Sequence, residues 1–265
     1  MFNMKYLSVT LWFGLFLNVL FVLLIWQFSA LFPTHSEMYG TGLSYAERET
    51  IHILSTLLQP FSITIIVQMF SVLILFKFPK LGLILSILSA IIMLPLSFVF
   101  IVGYLYSYEN RVNRALTPYN NTQAPDIRIL FRTNQIKAMS AFMVVAGIIC
   151  LFIGVNLGGL LLIVGFVHLC NGVRLNNKFI IGLYNDNLIL TPNAYANTYL
   201  IPLNAVSVIE NGFSSLELSV SMPELNKKFT VKKDLLAGED SSQVLEKIVA
   251  NIPKSNVEQL PTAIE

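Results

Sequence analysis

The residues of this chain that could carry chemistry are few, and they do not come together at a recognisable spacing. His168 and Cys170 are two positions apart and could contribute to a metal site, but a zinc site needs about four ligands and the sequence shows no others nearby. A lone histidine in an apolar stretch, such as His52 or His168, is more simply a hydrogen-bonding residue. The sequence therefore predicts no metal or cofactor site.

Catalytic motifs are also missing from the sequence. It contains no Gly-x-Ser-x-Gly, phosphate-binding loop, His-Glu-x-x-His or dinucleotide fingerprint. Its long apolar stretches carry none of the acidic or basic groups that coupled transporters and pumps keep within the membrane. The net charge is only +2, which argues against a nucleic-acid partner. We therefore expect a protein that is not an enzyme.

The elements that would have to position any site are mostly apolar. Of 265 residues, 55% are hydrophobic and 12% are charged, against about 25% charged residues in an average soluble domain. Stretches without Asp, Glu, Lys or Arg cover residues 6–32, 51–76, 81–106 and 138–173. Because about 20 helical residues cross the hydrocarbon core, each of the first three stretches predicts one membrane span.

The stretch 138–173 is too long for a single span. As one helix it would measure about 54 Å, against a hydrocarbon core of roughly 30 Å. Asn156 and the pair Gly158-Gly159 are turn-forming residues, so we expect a hairpin of two helices at about 138–155 and 157–173. Alternatively, Gly154 and Gly158 form a Gly-x-x-x-Gly packing motif within one helix.

Small and polar residues in the apolar stretches indicate where helices would pack. Gly82, Ser86 and Ala90 recur every four residues, a spacing typical of close helix contacts in lipid. Pro60 and Pro95 predict helix kinks. Polar side chains in apolar surroundings each need a partner in another helix or subunit, or a water-lined cavity; they are Asn18, Gln27, Gln59, Gln68 and Asn156.

The distribution of basic residues predicts the orientation in the membrane. With five spans, one side carries Arg48, Arg111, Arg114, Arg128, Arg132, Lys137, Arg174 and Lys178, and the other carries Lys5, Lys77 and Lys80. The positive-inside rule then places the first side in the cytoplasm. The C-terminal region would lie inside and the N-terminus outside.

The loop at 107–137 has a second half that could lie on the bilayer surface. Residues 126–139 fit an amphipathic helix whose Arg128 and Arg132 reach toward lipid phosphates. A plain solvated loop fits the same residues equally well.

After Arg174 the sequence changes to short runs of alternating hydrophobicity, which are typical of strands. Residues 178–183 and 188–191 flank an Asn/Asp-rich turn and predict a hairpin. Further strands are predicted at 198–202, 205–210, 215–220 and 228–233. An amphipathic helix follows, capped by Asp240 or Ser241, and residues 253–265 contain two prolines and predict a loose tail.

Two lysines in the last predicted strand could also contact lipid. Lys228 and Lys232 lie on either side of residues 229–231 and could face anionic headgroups. The alternative is a solvated edge strand on which lysines prevent unwanted pairing.

The order of these elements resembles the bacterial pleckstrin-homology-like (PH-like) domains. The resemblance is carried by a hairpin of apolar helices, the strand and turn at 184–190, and the run 200–206 leading into Ile209. It covers residues 138–252. It implies a non-catalytic, β-rich scaffold domain, closed by one helix, at the inner membrane face. Some proteins of this kind resemble self-protection factors against secreted toxins.

These patterns predict a polytopic α-helical membrane protein of about five transmembrane helices with a small C-terminal PH-like domain. Its parts are three helices and an amphipathic loop (1–137), a hairpin (138–173), the β domain (174–252) and a flexible tail (253–265). We expect an inner-membrane protein that binds lipid, a protein partner or copies of itself, with an immunity or stress-protection role as the most specific version. The alternative is an oligomeric channel or transporter component.

Overall fold

A computed structural model describes residues 4–31, 42, 44–120, 125–155, 157–238 and 240–252. The chain forms two compact units. The first consists of Met1–Val112 with Met143–Val164, and the second of Asn113–Phe142 with Gly165–Glu265. Asn156 and the predicted tail at 253–265 lie outside the described residues.

Within the described residues the chain contains seven α-helices. They are α1 (Val9–Leu31), α2 (Tyr45–Leu75), α3 (Pro79–Ile92), α4 (Phe98–Val112), α5 (Thr133–Phe152), α6 (Gly158–Leu175) and α7 (Ser241–Asn251). By length and composition, α1, α2, α5 and α6 could each cross a membrane. Helix α3, with 14 residues, is about 21 Å long and falls short of a hydrocarbon core of roughly 30 Å.

Local sequence signals set where α2 and α3 begin. The Ser44 hydroxyl accepts a hydrogen bond from the Glu47 backbone N–H, and the Glu47 carboxylate accepts one from the Ser44 N–H, which together form a capping box. Helix α2 continues through Pro60. Helix α3 starts at Pro79, where a missing backbone N–H costs nothing.

The predicted third span at 81–106 is two helices rather than one helix kinked at Pro95. Pro95 lies in the turn between α3 and α4, and the Ser97 hydroxyl spans this turn by donating to the Ala90 carbonyl oxygen at 2.5 Å. A Cβ on Gly82 would collide with the hydroxyl of Tyr104 in α4. Collinear helices would separate residues 82 and 104 by about 33 Å, so α3 and α4 form an antiparallel hairpin.

Helices α1 to α4 pack closely because glycines let their backbones approach. A Cβ on Gly14 would collide with the backbone of Phe100, and one on Gly103 with the backbone of Leu11. Tyr104 is fully buried, and its hydroxyl donates to the Ser71 carbonyl oxygen at 2.7 Å. These contacts join α1 to α4 and α4 to α2.

Contacts of Arg111 show which helix ends lie together in this group of helices. The Arg111 guanidinium, in the last turn of α4, donates to the Phe76 carbonyl oxygen just beyond α2 at 2.6 Å. It also lies 5.8 Å from the ring of Tyr6, which precedes α1. The start of α1, the end of α2 and the end of α4 therefore share one end, and because the α3–α4 hairpin doubles back, α3 begins there as well.

The stretch at 138–173 contains α5 and α6 with a turn between them. Gly154 follows α5 with φ +77, the left-handed conformation that glycine adopts readily, and no atom of the described residues lies within 4 Å of the position of its missing Cβ. Gly158 instead lies against α5, where a Cβ would be 2.7 Å from the Leu151 backbone nitrogen. Gly147 approaches Leu162 in the same way, so Gly147 and Gly158 are the close-contact pair of this hairpin.

The described residues of the second unit form eight short strands in two antiparallel sheets. The strands are β1 (Thr117–Pro118), β2 (Ile127–Leu130), β3 (Phe179–Tyr184), β4 (Asn187–Leu190), β5 (Tyr199–Pro202), β6 (Val206–Asn211), β7 (Ser215–Met222) and β8 (Leu225–Lys232). Their orders are β1-β5-β4-β3-β2 and β6-β7-β8. A single core joins both sheets and α7, with Leu188, Ile201, Leu218 and Ile248 fully buried.

The segment at 126–139 is not a surface helix. It divides into β2 and the first residues of α5, and Arg128 pairs with Gly182 of β3. Because β3 supplies hydrogen-bonding partners from far along the chain, an extended conformation is stabilised where the local pattern suggested a helix. The β-rich unit therefore begins at Asn113 rather than near residue 174.

Helix α7 packs against β2 and buries Leu245 and Ile248. Asp240 occupies the N-cap position, but its side chain makes no capping hydrogen bond. The predicted side-chain cap at this residue is therefore not observed.

The α5–α6 contact gives a test with a matched control. Gly158→Ala places a Cβ against the α5 backbone, and we expect it to destabilise the protein by about 1–3 kcal/mol, as overpacking does. Gly159→Ala adds the same atom where none of the described residues lies within 4 Å, and we expect it to be neutral. Unfolding of the detergent-solubilised full chain measures both, and equal stabilities of the two variants would contradict this packing.

Candidate functional site

Two of the predicted lipid-contact residues lie together at the end of the second unit that carries α5. Arg132 directly precedes α5, and its backbone N–H donates to the Leu235 carbonyl oxygen at 2.7 Å. Lys232 ends β8 and leads into a 3-10 turn, Lys233–Leu235. Both side chains are exposed. The start of an apolar helix and the end of a basic strand thus lie side by side.

The other two predicted residues lie elsewhere. Arg128 is on β2, with its guanidinium 5.6 Å from the ring of Phe179. Lys228 pairs with Ser219, and it precedes Lys232 by four residues, or about 13 Å along the strand. The four residues therefore do not form one cluster, and the basic group next to the helices contains Arg132 and Lys232.

The loop between β4 and β5 is fastened to the end of α6. The Arg174 guanidinium donates to the Ala194 carbonyl oxygen at 3.4 Å, and the Lys178 ammonium donates to the Ala196 carbonyl oxygen at 3.2 Å. Burial lowers the pKa of Lys178 to about 8, and the positive charge of Arg174 adds to this shift. Sequence reasoning missed this role for Arg174 and Lys178, because it depends on a loop 20 residues away.

Further hydrogen bonds fix the shape of the same loop. The Asn193 side-chain oxygen accepts the backbone N–H groups of Tyr195 and Ala196, at 2.9 Å and 3.0 Å, in the manner of an Asx turn. At the ends of the loop the hydroxyls of Thr191 and Thr198 hydrogen-bond each other at 2.8 Å. The loop at 191–198 therefore has a shape fixed by hydrogen bonds, and we call it the wall of the cavity that it lines.

This wall bounds a cavity of about 280 Å³. The lining is mainly apolar and comes from β3, β8, the loop, the residue after β2 and the end of the 3-10 turn. It consists of Phe131, Ile180, Thr191, Pro192, Asn193, Ala194, Tyr195, Thr230, Val231, Lys232 and Leu235. Lys232 contributes the cationic group. An apolar recess beside a cation suits a ligand or partner segment that combines an apolar group with a negative charge.

A second, more polar recess lies at the start of α5. Its residues include Arg132, Thr133, Asn134 and Asn176. The Asn176 side-chain oxygen accepts from the Thr133 hydroxyl at 3.0 Å and from the Lys137 ammonium at 2.5 Å. These bonds tie the start of α5 to the end of α6.

The predicted packing residues of the helical unit lie in α3 and in the α5–α6 hairpin. Gly82, Ser86 and Ala90 are buried, and Gly82 lies against α2 and Tyr104. Gly158 lies at a helix contact, whereas Gly154 lies in the turn. Sequence reasoning missed Gly147, Gly14 and Gly103, since single glycines in apolar runs carry no periodic signal.

Polar groups inside the helical unit form a small enclosed cluster. The Asn18 amide donates to the Gln68 side-chain oxygen at 2.9 Å, and both side chains are fully buried. The Asn18 oxygen, the Gln68 nitrogen and the Thr64 hydroxyl have no further hydrogen-bond partner among the described residues. In contrast, Gln27 and Gln59 are exposed on this unit.

The possible metal-binding residues do not assemble within the part of the chain that the structure describes. There, no three residues among His, Cys, Asp and Glu are close enough to hold a metal ion. Cys150 and Cys170 are both free thiols.

The chain matches no protein-family model, no curated protein sequence and no solved structure.

The coupling between Arg174 and Lys178 can be measured directly. Arg174→Gln removes the like charge, so we expect the pKa of Lys178 to rise from about 8 toward its ordinary value. A pH titration of the Lys178 side-chain NMR signal in the full chain measures this, with Arg128→Gln as the control. Because folding lowers the pKa of Lys178 from 10.5 to about 8, the unfolded state binds more protons than the folded state between these two pH values. We therefore expect the free energy of unfolding to rise as the pH increases from about 8 to 10.5, and to decrease as the pH falls through this range. An unchanged Lys178 pKa in Arg174→Gln would contradict the coupling.

Proposed function

We propose that this chain is a non-enzymatic integral protein of the bacterial inner membrane that binds lipid or a protein partner through its helices and a cytoplasmic PH-like domain. The observation that carries the proposal combines two features of the described residues. Four helices are apolar enough to cross a membrane, and a basic, partly apolar surface lies where two of them enter the β-rich unit. A domain held at the membrane in this way has its recognition surface close to lipid.

The α3–α4 hairpin supports a topology of four crossings. Both helices are shorter than the hydrocarbon core, and they return to the end they started from. A hairpin that enters and leaves on one side adds no crossing. Under this topology the N-terminus lies on the same side as the β-rich unit, which reverses the placement expected from five spans.

The basic residues support the same topology. With four crossings, ten arginines and lysines near the helix ends fall on the side of the β-rich unit, and only Arg48 falls on the other side. The ten are Lys5, Lys77, Lys80, Arg111, Arg114, Arg128, Arg132, Lys137, Arg174 and Lys178. This bias is stronger than the one obtained with five spans, and it favours a cytoplasmic β-rich unit.

The cavity beside Lys232 is the best candidate for the recognition surface. It is preformed, because Arg174, Lys178 and Asn193 fix its wall, and preformed sites bind without first ordering a loop. The resemblance to PH-like proteins makes immunity or stress protection the most specific version of this function. Its partner would then be a secreted toxin or another membrane protein.

An oligomeric channel or transporter component is the second candidate. The polar cluster of Asn18, Thr64 and Gln68 favours it, because unpaired polar groups are costly in apolar surroundings. However, the three side chains are at most 2% exposed, and they are enclosed within one chain rather than lining an open path. Ion or solute flux in liposomes containing the purified protein would favour this candidate over partner binding.

The four-crossing topology predicts which residues react from outside the cell. In a variant without Cys150 and Cys170, single cysteines replace Glu49, Lys80 or Glu224. We expect a membrane-impermeant maleimide to label position 49 in intact spheroplasts, and positions 80 and 224 only after permeabilisation. Labelling of position 80 from outside would instead support a fifth crossing between Lys80 and the β-rich unit.

Recognition at the cavity can be tested by photo-crosslinking in cells. A photoreactive amino acid at Ala194 is expected to yield an adduct with a lipid or a protein, and mass spectrometry identifies which. We expect Lys232→Glu to abolish the adduct and Lys228→Glu to leave it, because only Lys232 lines the cavity. Equal adducts from Ala194 and from a control position at Glu224 would contradict recognition at this site.

A further inference from the structure

We propose that Phe213, at the tip of the β6–β7 hairpin, inserts into the headgroup region of the bilayer and holds the β-rich unit against the membrane surface. This inference rests on the proposed membrane function, and it adds an apolar anchor to the basic surface described above.

The first observation is the exposure of Phe213. Outside α5 and α6, the described residues of the second unit expose only two large apolar side chains, Ile209 at 42% and Phe213 at 102%. Both lie at one end of the β6–β7 hairpin, where the Gly212 N–H donates to the Ser215 carbonyl oxygen at 3.0 Å and closes the turn. Phe213 therefore packs against nothing in the described part of its own unit, and a ring in water gains by entering an apolar or interfacial environment.

The second observation is the position of this tip. The Ser214 carbonyl oxygen accepts from the Lys233 N–H at 2.9 Å, and the 3-10 turn that begins at Lys233 ends at Leu235, which is bonded to Arg132. The path from Phe213 to Arg132 runs through Ser214, the turn 233–235 and two backbone hydrogen bonds. Its length places the backbone of Phe213 within about 20 Å of Arg132. Because α5 begins one residue after Arg132, the tip lies near the start of this apolar helix.

The third observation is the charge around the tip. The segments between the hairpin and α5 carry three basic residues, Arg132, Lys232 and Lys233. The acidic residues in the same segments are Glu210 and Asp234. Basic residues beside an exposed aromatic ring match a bilayer surface, which offers anionic phosphates next to an apolar interior. This surface is covalently linked to α5, which keeps it at the bilayer permanently. For this reason we favour lipid, rather than a second copy of the chain or a soluble protein, as the occupant.

Tryptophan fluorescence in the full chain tests this inference. Trp12 and Trp26 are replaced by phenylalanine, and Phe213→Trp then provides the single reporter. Glu224→Trp in the same background is the matched control, because it lies in the turn at the opposite end of β7. The proteins are reconstituted into vesicles of phosphatidylcholine and phosphatidylglycerol. We expect emission from the Phe213→Trp reporter to be blue-shifted and quenched by brominated lipid, and emission from the Glu224→Trp control to be quenched by aqueous iodide.

Carbonate extraction of the same vesicles separates the two possible failures. If the protein stays in the membrane and the reporter at position 213 responds to iodide as strongly as the control at position 224, the anchor is overturned while the proposed membrane function stands. If the protein is extracted, both fail. If the reporter at position 213 is shielded in native membranes but not in the purified vesicles, a protein partner covers the tip and the lipid assignment is overturned.

Discussion

The cost of an unpaired backbone group in apolar surroundings is the constraint on which this structure depends. The long helices α1, α2, α5 and α6 meet it by pairing their N–H and C=O groups within the helix. The α3–α4 hairpin interrupts this pattern, and its turn is paired by backbone hydrogen bonds, such as those from the Met93 N–H to the Ala90 carbonyl oxygen and from the Ser97 N–H to the Met93 carbonyl oxygen. Side chains add further hydrogen bonds to carbonyl groups of the helical unit. Ser97 donates to the Ala90 carbonyl oxygen and Tyr104 to that of Ser71, while Arg111 satisfies the Phe76 carbonyl beyond the end of α2. A turn inside the helical unit is tolerated because its polar atoms are paired by the protein.

The same constraint explains why the helices meet at glycines. In the proposed lipid environment water would not drive the helices together, so close van der Waals contact between backbones would supply much of the attraction. Gly14 and Gly103 let α1 and α4 touch, and Gly147 and Gly158 do the same for α5 and α6. The buried polar side chains Asn18 and Gln68 pair with each other across α1 and α2.

The β-rich unit depends on pairing between distant parts of the chain. Strands β1 and β2 come from the segment before α5, and β3 to β5 come after α6. The two helices are therefore inserted into one sheet, and the chain crosses between them and the sheet at Arg132 and at Arg174 to Lys178. Those crossings carry the basic residues and fix the wall of the cavity, so the proposed recognition surface is a consequence of how the helices and the sheet are joined.

Elements whose signals are local could be predicted from the amino-acid sequence. Uncharged apolar runs predicted the long helices, and the Asn185-Asp186 turn between alternating strands predicted the β3–β4 hairpin, in which Asn185 adopts φ +49. The conformations of 81–106 and 126–139 depend instead on tertiary contacts. The first doubles back because Tyr104 and Gly82 meet across the hairpin, and the first half of the second forms β2 because β3 offers an open edge. Neither partner is near in sequence, so hydropathy and periodicity could not reveal them.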